Sequence, residues 1–238
     1  MINCKACSTE VTSKYCPNCG QPSLLKRIDG HYIAHEIEHV LHFDKGILYT
    51  IRELLIRPGS NIRRFILEDR SRLVKPVIFI IVTSLIYTIV SHFFHIDSIV
   101  TYDLPHQSTS GKIYKWTEDH LGYSNMIMGA FIALWIKLFF RKNKYNYFEI
   151  IILLCFVMGM GMLIFTLFAI LEGVTHFDFK KISAIVSIGY CVWGIGQFFD
   201  SKKFMSYVKA FFSYIIGMTT YSVLALAIGS LIDLIFRN

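Results

Sequence analysis

Four cysteines near the start of the chain have the spacing of a metal site. They form two C-x2-C pairs in MINCKACSTEVTSKYCPNCG, namely Cys4 with Cys7 and Cys16 with Cys19. Structural zinc is held by four ligands in a tetrahedron, and each C-x2-C turn supplies two thiolates from one tight knuckle. A segment of about 20 residues cannot bury a core of its own, so the metal must supply its folding energy. We therefore expect a zinc ribbon over residues 1–24 that holds one structural Zn²⁺ and leaves no position open for catalysis.

Disulfides or free thiols are the alternative states of these four cysteines. Disulfides need an oxidising compartment, whereas the orientation predicted below places this end of the chain in the reducing cytosol. The other two cysteines, Cys155 and Cys191, lie inside apolar segments, where we expect them to pack as small buried side chains.

A row of histidines follows in the sequence HYIAHEIEHVLHF, residues 31–43. Helical periodicity places His31, His35, His39 and His42 on one face and the apolar side chains opposite them. Histidines four residues apart can share a metal ion, and histidine also titrates near physiological pH. A polar face toward water or lipid headgroups requires neither property, so the sequence leaves three alternatives open: a second metal site, a pH-sensing face and an ordinary polar face.

Basic side chains are concentrated before the first long apolar segment. A helix capped by Ser60 and reaching about Leu73 would carry arginines on one side and apolar residues on the other. Such helices lie in the membrane interface with their arginines on phosphates, so anionic lipid is a better partner than nucleic acid. The candidates for binding lipid headgroups are Arg57, Arg63, Arg64, Arg70, Arg72 and Lys75.

The composition is that of a protein with several membrane spans. Of the 238 residues, 54% are hydrophobic and only 17% are charged, with a mean hydropathy of +0.48 and a net charge of +7. A helix needs about 20 apolar residues to cross a bilayer. The segments that approach or exceed this length are 76–94, 125–140, 149–171, 182–199 and 208–236. We therefore predict an all-α membrane bundle over residues 76–238, preceded by amphipathic and basic juxtamembrane helices over residues 25–75.

The charge of the loops predicts the orientation of this bundle. The segment before the first span and the loops at 141–148 and 200–207 are rich in lysine and arginine, whereas the loops at 97–123 and 172–181 are not. Because positive loops stay on the cytoplasmic side, we expect the N-terminus in the cytosol and the C-terminus outside a bacterial cytoplasmic membrane.

Few ionisable side chains fall within the predicted spans. Lys137 lies near the inner end of the second span as a topological anchor, and Asp233 is expected to pair locally with Arg237. Four side chains collect toward the outer end, where they could line a polar vestibule or serve as ordinary interfacial residues. These are His92, Glu172, His176 and Asp233.

The segment after the cysteines resembles a known family. The runs CPNCGQ at 16–21, FDKGILYTIRELLIRPG at 43–59 and IRRFILEDRSRLVKP at 62–76 resemble the bacterial domain-of-unknown-function family 3667 (DUF3667). The resemblance implies a zinc ribbon joined through a basic stretch to a membrane region, with no assigned activity and no catalytic residues. The layout is also similar to that of the Yip family of membrane-trafficking proteins, but this is an analogy of arrangement only.

Three functions are compatible with this organisation. The closed metal site and basic segment favour a non-enzymatic adaptor or scaffold that engages a cytosolic protein partner or anionic lipid. A channel or transporter for small solutes or ions, using the glycine-bearing spans, is the main alternative. A lipid-modifying enzyme is the third, although the sequence shows no short catalytic or nucleotide-binding signature. Any of these could act as a homo-oligomer.

Overall fold

A computed structural model describes residues 2–22, 46–96 and 108–236 of the chain. The described part is mostly helical, with one short β-hairpin near the N-terminus and eight helices. The hairpin strands are β1 Ile2–Asn3 and β2 Glu10–Val11. The helices are α1 Ile47–Ile56, α2 Pro58–Leu67, α3 Pro76–Phe93, α4 Thr109–Asp119, α5 Leu121–Phe139, α6 Tyr147–Thr175, α7 Lys180–Asp200 and α8 Phe204–Phe236. Five of them, α3 and α5 to α8, are long and apolar enough to cross a membrane, which confirms the predicted fold class.

The bundle is built around α6. This helix is apolar on all sides, and its residues 152–161 are all buried, because α3, α5 and α7 pack against it. Small residues permit the close approach: Gly159 of α6 faces Phe79, and Gly161 faces the hydroxyl of Ser187. The eighth helix packs against α5, α7 and α4. The five long helices therefore form one core with α6 at its centre.

The observed span bounds differ from those expected from hydropathy. The second span begins at Leu121 rather than near Asn125, because its first turn contains small and polar residues that pack between helices. Among these, Gly122 lies against Ile81, and Asn125 lies 3.4 Å from the hydroxyl of Ser84. The last span is one continuous helix of 33 residues, about 50 Å long at 1.5 Å per residue. It is therefore longer than a bilayer is thick.

The basic helix also differs from its prediction. It begins at Pro58, with Arg57 as the N-cap, and ends at Leu67. Ser60 is therefore inside the helix, because Pro58 is well suited to the first helical position, where its missing N–H costs no hydrogen bond. The residues of its inner face are buried: Pro58, Gly59, Asn61, Ile62, Phe65 and Ile66. Instead of lying free on a surface, α2 shares one apolar core with the spans, and the rings of Phe65 and Phe156 meet edge to face at 5.2 Å.

Candidate metal centre and adjoining basic surface

The four N-terminal cysteines converge as the spacing predicts. Their sulfur atoms all lie within 4.8 Å of one another. The Sγ atoms of Cys4 and Cys19 are 3.6 Å apart, and those of Cys7 and Cys16 are 3.5 Å apart. Metal–sulfur bonds of about 2.3 Å in a tetrahedron would separate the sulfurs by about 3.8 Å. The four thiols therefore fit a single tetrahedral metal ion.

Local backbone geometry brings the two knuckles together. The strands β1 and β2 pair in antiparallel register, Ile2 with Val11 and Asn3 with Glu10, and carry the first knuckle between them. In the second knuckle, Gly20 has a φ of 72°, a left-handed conformation that favours glycine. The amide of Cys16 then donates to the carbonyl of Gln21 at 2.7 Å and closes the turn.

The thiols differ in their readiness to ionise. The hydroxyl and backbone of Thr9 lower the pKa of Cys7 to about 6. The backbone amide of Gln21 acts to lower the pKa of Cys19, but burial and the neighbouring cysteine sulfurs raise it to about 12. Several thiolates so close together repel one another unless a cation balances them. A bound cation would therefore stabilise the four cysteines in their thiolate form.

The side chain of Gln21 links the ribbon to the membrane bundle. The amide nitrogen of Gln21, two residues after the last cysteine ligand, donates to Oδ1 of Asp69 at 2.6 Å and to Oγ of Ser71 at 3.0 Å. Asp69 and Ser71 form the turn between α2 and α3, and the amide and hydroxyl of Ser71 both donate to Asp69, at 2.9 and 2.6 Å. The metal centre is thus held beside the start of the first span.

Polar contacts fix α1 against the same turn. Nη2 of Arg72 donates to Oε2 of Glu53 at 2.7 Å, and the amide of Val74 donates to the hydroxyl of Thr50 at 3.0 Å. The side-chain amide of Asn61 donates to the carbonyl of Glu53 at 2.8 Å. These bonds tie α1, α2 and the start of α3 into one unit.

A second joint attaches α2 to the end of α7. The amide of Gly59 donates to Oε1 of Gln197 at 2.7 Å, across 138 positions of sequence. A Cβ atom at Gly59 would overlap the backbone of Gln197 and Phe198, so only glycine fits at this contact. On α1, the carbonyl of Leu54 accepts from the hydroxyl of Tyr190 at 3.0 Å. Sequence patterns did not predict either contact, because the two partners are more than 130 positions apart in the chain.

The predicted lipid-binding residues divide into two groups. Arg72 is paired with Glu53, Arg64 lies 3.3 Å from Glu68, and Arg70 also interacts with another group of the protein. The remaining candidates form no ion pair within residues 2–22, 46–96 and 108–236: Arg57, Arg63 and Lys75. Among the described residues, Arg64 and Arg72 are thus in ion pairs, whereas Arg57, Arg63 and Lys75 are not.

Aromatic rings gather at the same end of the bundle, where α5, α6 and α7 have their adjoining termini. We call these four residues the aromatic cluster: Phe140, Tyr145, Phe198 and Phe199. Phe140 and Phe199 stack with centroids 3.9 Å apart, and Tyr145 lies 4.6 Å from Phe198. Lys137, predicted to be a topological anchor, donates from Nζ to the carbonyl of Tyr145 at 2.6 Å. The aromatic cluster has no sequence signature, since its members come from the turn after α5 and from the last residues of α7.

The predicted vestibule residues are engaged in separate local contacts. The carboxylate of Asp233 accepts from the amide of Thr109 at 2.9 Å, at the start of α4, and Glu172 accepts from the amide of Phe179 at 3.1 Å. His92 stacks on His95. His176 ends α6 in a left-handed conformation. No contact among the described residues joins these four side chains, and the proposed partner Arg237 lies outside the described range.

The four histidines of the predicted stripe also lie outside the described residues: His31, His35, His39 and His42. Their role as a polar, metal-binding or pH-sensing face stays a prediction.

Comparison with known families bears on the segment that joins the ribbon to the spans. The model of a family described as a protein of unknown function (DUF3667) matches residues 44–88. No curated protein and no solved structure matches the chain. The similarity of layout to the Yip family stays a prediction. Over α1, α2, the turn between α2 and α3 and most of α3, the chain carries the sequence pattern of the DUF3667 family.

Proposed function

We propose that the protein is a non-enzymatic adaptor of the bacterial cytoplasmic membrane, which presents a zinc ribbon to a protein partner from the cytosolic, basic end of a five-helix bundle. The observation that carries this proposal is the pair of hydrogen bonds from Gln21 to Asp69 and Ser71. They hold the ribbon in a defined orientation beside the first span. A preordered surface loses less conformational entropy when it binds, so a fixed ribbon is suited to recognition.

Zinc is the metal that suits this ribbon. Four thiolates are a soft donor set, which hard ions such as Mg²⁺ and Ca²⁺ do not prefer. The two C-x2-C knuckles and the convergent sulfurs of Cys4, Cys7, Cys16 and Cys19 match a closed structural zinc site. With four protein ligands, the ion has no position for a substrate, which supports a binding role over catalysis.

Tyr15 is the side chain best suited to contact a partner. It precedes the ligand Cys16, pairs through its backbone with Pro22, and is 63% exposed. Tyrosine is enriched among residues that contribute most to protein–protein binding, because its ring offers a rigid contact area with a polar end. Because Tyr15 directly precedes Cys16, metal binding would restrain the backbone that carries the tyrosine ring.

Anionic lipid is the second partner in this proposal. The inner face of α1 is buried, whereas Leu48, Leu55 and Ile56 are 77%, 54% and 59% exposed on its outer side. Arg52 is exposed on the same short helix, and Arg57 is exposed directly after its last residue. An apolar face with flanking arginines is typical of a helix that lies in the plane of the membrane interface.

In-cell photo-crosslinking tests the adaptor function. A photoreactive amino acid replaces Tyr15 in the full-length protein, and the same amino acid at the exposed Thr12 of the ribbon is the matched control. We expect one reproducible protein adduct at position 15, at least about fivefold stronger than at position 12, since only a defined interface gives position-dependent contact. The adduct should disappear in Cys16→Ser, whose zinc content native mass spectrometry reads directly.

Two results would contradict this function. One is an equal yield of adducts at positions 12 and 15, since a specific interface would not treat them alike. The other is unchanged crosslinking in a Cys16→Ser protein that has lost its metal. Flux of a small solute or ion through vesicles containing the purified protein would then favour the transporter alternative.

A further inference from the structure

The long helix α8 changes its packing partner about halfway along its length. Its first half lies against α5, where Gly217 meets the backbone of Ile132 and Nε1 of Trp135 donates to the hydroxyl of Thr220 at 3.0 Å. Its second half lies against the short helix α4, which precedes α5 in the chain. The two helices α4 and α5 thus pack in succession along one side of α8.

Three contacts fix α4 along the second half of α8. The hydroxyl of Tyr114 donates to the carbonyl of Ser222 at 3.2 Å. Gly229 permits a close approach, since a Cβ there would overlap the backbone of Ser110. The start of α4 is bonded to Asp233, near the end of α8. With 11 residues and a length of about 16 Å, α4 is as long as half of a hydrocarbon core is thick.

A contact with α3 shows that α5 begins inside the bundle rather than at its end. A Cβ on Gly122, the second residue of α5, would lie 3.8 Å from Cα of Ile81. Beyond Ile81, α3 continues to Phe93, which is about 18 Å further along its axis. A helix that entered the bilayer at the far end of α3 would begin beside Phe93 instead. The outer part of this crossing is therefore missing from α5, and α4 lies beside the matching part of α8.

The other side of α8 shows that α4 lies at the depth of lipid chains. Past Ser222, the side of α8 turned away from α4 exposes large apolar side chains: Val223, Leu224, Ile228, Leu231 and Leu234. On a spanning helix, such side chains face the acyl chains of the bilayer. Because α4 packs against the same stretch of α8, it lies at the same depth.

The exposed face of α4 is nevertheless polar. Spacings of three and four residues place five exposed residues on one face: Lys112, Lys115, Trp116, Asp119 and His120. Among the described residues, neither Lys115 nor Asp119 is in an ion pair. A charged side chain against lipid chains is costly, and such residues almost always face a protein interior or a water-filled cavity. A lysine near the membrane surface can extend to the headgroups, but the short side chain of Asp119, at the deep end of α4, cannot.

The interruption between α4 and α5 points in the same direction. His120 separates the two helices, with φ of −127° and ψ of 50°, and it is exposed. At lipid depth, an interrupted helix is tolerated only where it is buried in protein or lines a water-filled cavity. Since His120 is not buried, water is the environment that satisfies this position.

We propose that α4 and α5 are the two halves of one discontinuous second span, and that the polar face of α4 lines a water-filled cleft that leads small hydrophilic solutes from the membrane surface to His120. This inference goes beyond the adaptor function and does not depend on it. Discontinuous helices of this kind line the solute paths of many membrane proteins, because their ends bring polar groups to the middle of the bilayer.

Cysteine reactivity in lipid nanodiscs tests the cleft. The full-length variants Lys115→Cys and Asp119→Cys are treated with a small, permanently charged methanethiosulfonate, and peptide mass spectrometry reads the modification at each position. The matched control is Val223→Cys, which is exposed on α8 next to the Tyr114 contact but on the lipid side. We expect both α4 positions to react at least about tenfold faster than the control, because the reagent and the thiolate it attacks both require water. Both faces of a nanodisc are open, so the result does not depend on orientation.

Each other outcome overturns a stated part of the inference. If Val223→Cys reacts as fast as Asp119→Cys, this part of the bundle stands in water and α4 is not half of a span. If no position reacts, or only Lys115→Cys does, water does not reach the interruption and the cleft is rejected. The crosslink at position 15 reports separately on the adaptor function, which stands or falls on its own.

Footprinting of the unmodified protein removes any dependence on the folding of variants. Hydroxyl radicals generated in water should oxidise Trp116, on the polar face of α4, at least about fivefold faster than Trp193, which is partly buried in α7. Equal protection of the two tryptophans would overturn the cleft, even if the cysteine variants failed to fold.

Discussion

At the scale of single residues, the close contact between Gly59 and Gln197 attaches the basic helix α2 to the bundle. The amide of Gly59 donates to Gln197, and any Cβ at this position would meet the backbone of α7 rather than a movable side chain. Backbone cannot rotate away as a side-chain end can, so the contact tolerates no added carbon without displacing α2. The role of this glycine is thus to allow a close approach, which differs from the left-handed turn that Gly20 makes in the ribbon.

Gly59→Ala should therefore destabilise the protein. We expect a loss of about 1–3 kcal/mol in the free energy of unfolding, from overpacking at the joint between α2 and α7. The matched control is Gly189→Ala, because Gly189 is also helical but a Cβ there meets no atom within 4 Å. The control should be neutral or slightly stabilising, since alanine is the better helix former. Thermal unfolding in detergent compares them, and equal midpoints would show that the joint is not tightly packed.

At the scale of elements, the short helix α2 does not lie on a surface as its arginines suggested. The arginine-bearing α2 has its inner face in the core of the bundle, while α1 keeps an exposed apolar side. Helical periodicity shows that each helix has an apolar face, but it does not show what covers that face. The partners of α2 are α6 and α7, and lipid is the partner we propose for α1.

Photo-crosslinking to lipid checks the environment of α1. A photoreactive amino acid at Leu55 should give phospholipid adducts in membranes, detected by mass spectrometry, because an exposed apolar face is stable there only against acyl chains. The same group at the exposed Ser13 of the ribbon should give no lipid adduct. Crosslinks from position 55 to protein alone would show that another chain covers α1, and the absence of both kinds of adduct would indicate that it faces water.

At the scale of the whole molecule, the ribbon contacts the turn before the first span, and this turn and the aromatic cluster belong to regions rich in basic residues. The turns that follow α5 and α7 carry arginine and lysine, as does the segment between α1 and α3. The opposite ends of the spans include the Asp233 contact with α4 and the turn between α6 and α7. The positive-inside rule predicts that the basic end faces the cytosol.

Labelling of single introduced cysteines measures this orientation. With a membrane-impermeant maleimide on intact cells, Phe177→Cys, in the turn between α6 and α7, should be labelled at once. Lys202→Cys, in the turn between α7 and α8, should be labelled only after permeabilisation. Both positions are exposed, whereas the native Cys155 and Cys191 are buried, so the background from the spans should be low. The reverse pattern would place the N-terminus and the ribbon outside.

The sequence by itself determined the features that depend on neighbouring residues. The cysteine pairs predicted the clustered thiols, because two short knuckles need only a local turn to converge. Hydropathy predicted the five long helices, because the bilayer acts on each segment separately. The DUF3667 pattern was likewise carried by a continuous run of residues.

Only the tertiary structure decided which charges are already paired and which surfaces are covered. Whether Arg63 or Arg64 has a counterion depends on the packing of α2, and the two residues look alike in the sequence. The bond between Gly59 and Gln197 and the aromatic cluster bring together positions far apart in the chain, which no local pattern encodes. The spacing of residues along the chain specifies the metal ligands and the spans. Long-range packing specifies the contacts between helices and decides which charged side chains are paired.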